Sequence, residues 1–261
     1  MKQLFNFIVN PLTILYILIA LIFNKFAFIF IHYLVAFIHE FFHFLMAKFL
    51  KVKVGEIEFL PIGFYLKIPD LESYSFHKQL LVLIAGPSSY IFSCAIIKIL
   101  YNLGILSLYG YEDAMISNKF ILLFNLLPIY PLDGAKIIEL FLTPFINEYK
   151  LRASRIIISI LSLVIFSSYL LSLGEVITML FLFISLIISI INFKKNYLLY
   201  LISRLSNRNS MKIKINSKKE IYRLNDNYCY INNKIIDEKG IISDILKKEN
   251  LKQEIDVFEE K

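Results

Sequence analysis

The chain has 261 residues, 57% of them hydrophobic and 19% charged, with a formal net charge of +7. That balance excludes an ordinary soluble domain or a disordered chain and fits an α-helical polytopic membrane protein. Acids are interspersed with bases in the polar tail, so the positive charge reads as a solvated or lipid-facing surface and not a nucleic-acid footprint.

Apolar stretches near the roughly 20 residues that a bilayer demands run at 4–23, 26–47, 80–106, 116–132, 156–173 and 175–193. They predict about six transmembrane helices. The first lacks a small-residue cleavage pattern and is read as a retained span. Bases gather between spans two and three (Lys48, Lys51, Lys53, Lys67, Lys78) and between four and five (Lys136, Lys150, Arg152, Arg155). By the positive-inside rule those loops are cytoplasmic, and both termini with them. Cys94 and Cys229 are too separated in setting to predict a disulfide.

Span two carries the most informative residues: His39, Glu40, Phe41, Phe42 and His43 form the H-E-x-x-H zinc-protease pattern. Between Lys25 and Lys48, Glu40 is the only residue charged at neutral pH, and a carboxylate in mid-bilayer costs about 3 kcal/mol on insertion scales. The i, i+4 spacing sets both imidazoles on one helix face, where each can offer a nitrogen to one Zn²⁺, with Glu40 beside them as a proton acceptor. The competing reading, chance His and Glu on a solvated helix, fits a soluble segment and not this one. His32, seven residues before His39, could line the same face but reads more simply as packed against a carbonyl, and His77 reads as a solvated imidazole at the membrane border.

The segment Val52 to Ile68 alternates partly in apolar character around Pro61 and Gly63. It predicts either an amphipathic loop or a membrane-associated hairpin whose edge accepts a substrate as an added strand. Span three includes Ala85-Gly86-Pro87. Span four runs into Asn125-Leu126-Leu127-Pro128-Ile129-Tyr130-Pro131-Leu132-Asp133-Gly134, where two prolines interrupt the helical ladder and Gly134 permits a turn. Two His leave a catalytic zinc one protein ligand short. Asp133, shortly before a cytoplasmic loop like His43, is the candidate third; standing alone it would read as a cap on a helix starting near Ala135. Glu139 reads as a cytoplasmic helix surface. Leu173-Gly174-Glu175 predicts a tight hairpin between the last two spans.

From about residue 196 the composition turns polar. Met211 to Ile215 and Tyr228 to Ile236 alternate as strands do, with Asn232-Asn233 as a turn, and Ile241 to Leu251 has helical spacing. A small C-terminal cytoplasmic α+β module follows. It is marginal alone, so a homo-oligomer or contact with the membrane domain would have to stabilise it.

His39-Glu40-x-x-His43, Ala85-Gly86-Pro87 and Asn125-x-x-Pro128-x-x-Pro131-Leu132-Asp133-Gly134 together resemble the site-2 intramembrane metalloproteases, over about residues 10 to 195. The short loops and the C-terminal extension resemble the sporulation branch of that family. The resemblance implies a membrane-embedded protease domain over 1–195 and a CBS-like regulatory module over 196–261. It implies His39, His43 and Asp133 as zinc ligands, Glu40 as the general base and Asn125 as a residue that helps hold the substrate strand. It further implies a multi-pass protein of a bacterial cell membrane that cleaves a membrane-associated substrate near the cytoplasmic face. In the sporulation branch the substrate would be a sigma-factor precursor, with membrane regulators as further partners. Phe42, where the family usually has a small residue, and Ala135, where a second Gly often follows Leu-Asp-Gly, depart from the pattern. A membrane metal-binding protein or transporter is the alternative class, but polar residues along the spans are sparse. An inactive protease-like scaffold is another, but it should have lost Glu40 or a ligand.

Overall fold

The computed structural model describes residues 7–9, 11–22, 26–60, 63–172, 176–206, 212–231 and 234–248. Its elements run β1 (Phe7–Val9), α1 (Pro11–Ile22), α2 (Phe26–Phe49), β2 (Ile57–Leu60), β3 (Gly63–Leu66), α3 (Phe76–Asn102), α4 (Leu108–Asn125), α5 (Asp133–Leu142), α6 (Glu148–Ser172), α7 (Val176–Ile191) and α8 (Phe193–Ser206). The tail adds β4 (Lys212–Asn216), β5 (Asn225–Ile231), β6 (Lys234–Ile236) and α9 (Glu238–Lys248).

Among the described residues, three stretches are long and apolar enough to cross a bilayer alone: Phe28–Phe49, Phe76–Asn102 and Glu148–Ser168. Thr178–Ile191 with Phe193–Leu205, bent by 64°, makes a fourth if taken as one span. The six predicted stretches all contain helices, but α1 and α4 are too short or too polar to qualify by themselves, so three to four spans stand where six were expected. Large apolar side chains such as Ile91, Ile165 and Ile191 point outward and are mostly exposed, the reverse of a water-facing surface. The predicted hairpin at Leu173-Gly174-Glu175 and the turn at Asn232-Asn233 lie outside the described residues.

Two helix bounds differ from expectation for a local reason. Residues 7–9, inside the first apolar stretch, form a strand parallel to β2 (Phe7 opposite Ile57), and β2 pairs antiparallel with β3 (Ile57 opposite Leu66). The hairpin reading of Val52 to Ile68 is therefore the one that holds. Gly63 has a φ of +139° and lies so close to α2 that a Cβ would stand 3.1 Å from that of Ala36, which only glycine accommodates without strain. Tyr33 Oη of α2 donates to the Leu60 carbonyl at 3.2 Å and Thr13 Oγ1 of α1 to the Phe59 carbonyl at 2.8 Å, fixing the sheet across these helices. The fourth apolar stretch leaves the helix at Asn125 and not at 132, because the segment with Pro128 and Pro131 cannot sustain the ladder.

Helix α2 lies at the centre. It packs on α3 through Ala47, Val52 and Val82 and on α4 through Val35, Ala36 and Ile121. A further core of Phe124, Ile129, Leu132, Leu163, Leu182 and Leu186 joins α4 and the turn after it to α6 and α7. In the tail, β5 is flanked by parallel β4 and antiparallel β6. Its buried side packs with α8 and α9 through Leu201, Cys229, Ile241, Ile242 and Leu246. That core begins within α8, since Leu201 belongs to it and Arg204 bonds Glu238 at 2.5 Å and the backbone carbonyls of Arg223 and Asn225.

Candidate metal centre

One turn of α2 brings His39 and His43 edge to face, with ring centroids 4.9 Å apart and Nε2 atoms 3.3 Å apart. Asp133 Oδ2 approaches from α5, 2.8 Å from His43 Nε2 and 3.2 Å from His39 Nε2. All three side chains are buried. The Val82 carbonyl, 2.7 Å from His43 Nδ1, can only accept, so Nδ1 carries a proton and Nε2 is the nitrogen turned toward Asp133. The two Nε2 atoms and Asp133 Oδ2 thus form a triangle of 2.8, 3.2 and 3.3 Å, close enough to share one cation, a proton or a metal ion. Tetrahedral zinc, with bonds of about 2.0 to 2.1 Å, separates its ligand atoms by about 3.3 Å; the sides of 3.2 and 3.3 Å match that spacing and the 2.8 Å side between His43 and Asp133 would open slightly on binding.

Glycine makes the approach feasible at two points. A Cβ on Gly86 of α3 would collide with His43 Nε2 and Cε1 and with His39 Nε2. At Gly134 a Cβ would collide with the carbonyls of Leu126 and Leu127, so α5 can start under the end of α4 only because residue 134 has no side chain. Asp133 itself is the first residue of α5; Leu132 is the N-cap and no side-chain cap bond is made there, so the carboxylate is free of the capping role. The turn before it, with a cis Tyr130–Pro131 bond, is tied to α6 by Tyr130 N donating to Ser159 Oγ at 2.9 Å and by Arg155, whose guanidinium lies 4.4 Å from the Tyr130 ring centroid. Ser159 carries no local signal in the sequence that distinguishes it from other span serines.

Glu40 is half-buried beside the triangle. Its Oε2 accepts from the Leu66 backbone N–H of β3 at 3.1 Å. A Glu40 oxygen also lies within 4.8 Å of the ligand nitrogens of both His, so Glu40 could be counted with them as a metal group; Asp133 is nearer to both, and Glu40 is turned to the strand. Lys136 Nζ stands 3.5 Å from Asp133 Oδ1 and 5.4 Å from the Tyr65 ring centroid. Asn125 donates its amide to the Ile121 carbonyl one turn back at 3.0 Å and lines the same cavity as Glu40. Phe42 packs on Phe92, away from that cavity, with ring centroids 5.0 Å apart.

Two cavities meet here. One of about 800 Å³ lies between α2, α4, α7 and β3, and His32 helps line it. A second of about 440 Å³ runs from Glu40, His43 and Asp133 toward Glu72, Arg155 and Arg223. Glu139, expected on a solvated helix face, is instead buried and paired with Arg223 at 2.6 Å and Arg155 at 3.2 Å. The opposing charges on a separate element override the amphipathic pattern of α5 at this position. Burial lowers the Arg223 guanidinium, but Glu148, Glu72 and Glu139 hold it well above its ordinary value.

No protein-family profile matches the chain. The chain is similar to stage IV sporulation protein FB of Bacillus subtilis (strain 168), 28% identical over 112 residues; the match spans 42% of this chain and 39% of that relative's length. Its fold is similar to that of a site-2 protease from Methanocaldococcus jannaschii, with a TM-score of 0.57 at 20% identity, over 71% of this chain and 92% of that one. In part of its sequence and in most of its fold the chain is thus similar to site-2 proteases and their sporulation relative. Its membrane-length apolar helices mark a membrane protein, and on a fold similar to that of the solved protease α2 and α5 bring the His pair and Asp133 together.

Proposed function

We propose that the chain is a zinc-dependent intramembrane endopeptidase that hydrolyses a peptide bond of a membrane-associated protein near the cytoplasmic face. The observation that carries this reading is the His39, His43 and Asp133 triangle closing beside Glu40 inside a membrane-length helix. His39, His43 and Asp133 would hold the ion. Zinc bound there supplies Lewis acidity, which makes water more nucleophilic and a peptide carbonyl more electrophilic.

Glu40 takes the proton from the attacking water and passes it to the departing amine nitrogen, so the C–N bond breaks to a carboxylate and an amine with protons balanced. Its bond to Leu66 N–H holds the carboxylate toward β3. The far edge of β3 is the side on which an extended substrate would add, and Asn125 would hold that strand from α4. The second cavity supplies the polar route for water to reach Glu40.

The distribution of bases supports both termini on the cytoplasmic side, with α1 and α4 completing six crossings alongside the longer spans. Residues 1–195 form the protease domain and 196–261 the cytoplasmic regulatory module, CBS-like by its place in the chain. Likeness to a sporulation protein supports a sigma-factor precursor as substrate. The test is co-expression of wild type and Glu40→Gln with a tagged sigma-factor precursor from the same genome, reading the cleaved band and the zinc content of each purified protein. Cleavage by wild type alone with zinc in both is the expected result; a wild type without zinc overturns the reading.

A further inference from the structure

Arg223 lies between β4 and β5, and its guanidinium reaches carboxylates on three separate elements. Its Nη2 is 2.6 Å from Glu139 of α5, 2.8 Å from Glu148 at the start of α6 and 3.5 Å from Glu72 in the turn Leu71–Ser73. Each of those elements serves the metal centre. Helix α5 begins with Asp133, and α6 carries Arg155 and Ser159, which hold the turn before it. The Leu71–Ser73 turn follows β3, whose Leu66 N–H bonds Glu40. Arg152 and Arg155 complete the cluster. Among the described residues it holds three carboxylates against three guanidiniums, a balance that needs Arg223 in place.

The grip matters most for α5. With 10 residues it is shorter than a helix that is stable by itself, so its neighbours set where Asp133 stands. Glu139, six residues on and buried, is held from two sides: Arg155 donates to one carboxylate oxygen at 3.2 Å and Arg223 to the other at 2.6 Å. A metal site tolerates departures of about 0.2 Å from its preferred ligand distances, so a small slide or turn of α5 is enough to spoil the centre. Arg223 is itself anchored from behind. Arg204 of α8 donates to its backbone carbonyl at 2.6 Å and pairs with Glu238 of α9 at 2.5 Å. Leu201 of α8, Cys229 of β5 and Ile241 of α9 share one core, so Arg223 moves with that core as a unit.

We infer that Arg223 is a positioning residue that makes the metal centre depend on the docking of the C-terminal strands. Seated among Glu72, Glu139 and Glu148 it fixes α5, and Asp133 with it; withdrawn, it lets the centre loosen. This rests on the protease reading and gives that site a mode of control. A ligand or partner that shifts β4, β5 and β6 acts on Asp133 through one guanidinium, without itself reaching the metal centre.

Arg223→Met alone leaves a buried carboxylate unpaired and loses stability for that reason, so the test combines it with Glu148→Gln. The double variant sets two carboxylates against two guanidiniums and keeps the balance while losing the grip on Glu139. Full-length wild type, the double variant, Arg223→Lys and, as control, Lys219→Met are purified in detergent without metal; Lys219 pairs with Asp244, outside the cluster. Zinc affinity is read by competition with a chromophoric chelator, and hydrogen exchange of peptides spanning 133–142 is read on the metal-free samples, at a temperature where circular dichroism shows all four folded.

The double variant should bind zinc at least tenfold more weakly, as when a group that orients a metal ligand is lost, and its 133–142 amides should exchange faster. Arg223→Lys should fall between it and wild type, and Lys219→Met should match wild type. Zinc affinity within twofold of wild type in both Arg223 variants overturns the inference, whatever the exchange. A wild type that binds no zinc counts against the protease reading, and exchange alone then decides: faster exchange at 133–142 upholds the coupling, and unchanged exchange overturns it.

Discussion

Arg223, in the tail module, bonds the Glu148 carboxylate at the start of α6 through two of its nitrogens, Nε at 2.9 Å and Nη2 at 2.8 Å. Glu148 is fully buried, and its own backbone N–H donates to the Ile221 carbonyl at 2.7 Å. Arg152 and Glu72 extend the network, with Arg152 Nη2 2.6 Å from Glu72 Oε2. Residues 221 and 223 are thus held against the start of α6 by paired charges taken out of water.

Removing one partner of such a network is costlier than never having built it, because the remaining charge stays buried. Arg223→Met should therefore destabilise the protein by about 3 kcal/mol, the low end of the usual range since Arg152 and Arg155 still face Glu148 and Glu139. Thermal unfolding in detergent measures it. Arg223→Lys should recover only part of the loss, since an ammonium cannot reproduce the two-nitrogen grip.

Acid should loosen the same contact over a defined range. Burial raises the Glu72 carboxyl, but Arg223, Arg152 and Arg155 prevail and bring it from 4.5 down to about 2. Its folded pKa lies below the unfolded one, so its contribution is complete above pH 4.5 and is lost as pH falls toward 2. Glu72→Gln should lower stability at neutral pH and flatten the acid limb in that window. Unfolding followed against pH for both proteins would show parallel limbs if Glu72 were not so engaged.

Gly86→Ala separates helix propensity from site geometry. In a helix interior the change favours the helix by about 1 kcal/mol, yet the new Cβ collides with both imidazoles. Zinc affinity should fall about 10- to 100-fold, as when a group that orients a metal ligand is disturbed, with helicity unchanged by circular dichroism. Metal competition against a chromophoric chelator gives the affinity.

Labelling tests the proposed orientation. Glu112→Cys, at an exposed position of α4, should react with a membrane-impermeant maleimide on intact cells, whereas Lys51→Cys and Lys239→Cys, also exposed, should react only after permeabilisation. Labelling of Lys51→Cys from outside would reverse the topology.

The His pair was legible because both members sit on one turn of one helix, and Asp133 because Pro128, Pro131 and Gly134 announce a break. The hairpin was legible as one of two readings. The strand at Phe7–Val9 was not, because three apolar residues that precede a helix carry no period of their own; what makes them a strand is β2, far along the chain. Glu139 misled for a related reason. Its partners Arg155 and Arg223 come from other elements, and the Arg223 partner stands in a polar tail where one more base resembles surface.

Glu40, Tyr65, Tyr130, Asp133 and Lys136 line both cavities. Those five side chains are the common wall of the two cavities, so whatever fills one chamber presses on the boundary of the other. Trimming Tyr65 or Tyr130 would merge the two spaces, and a change made to enlarge one would be felt in both.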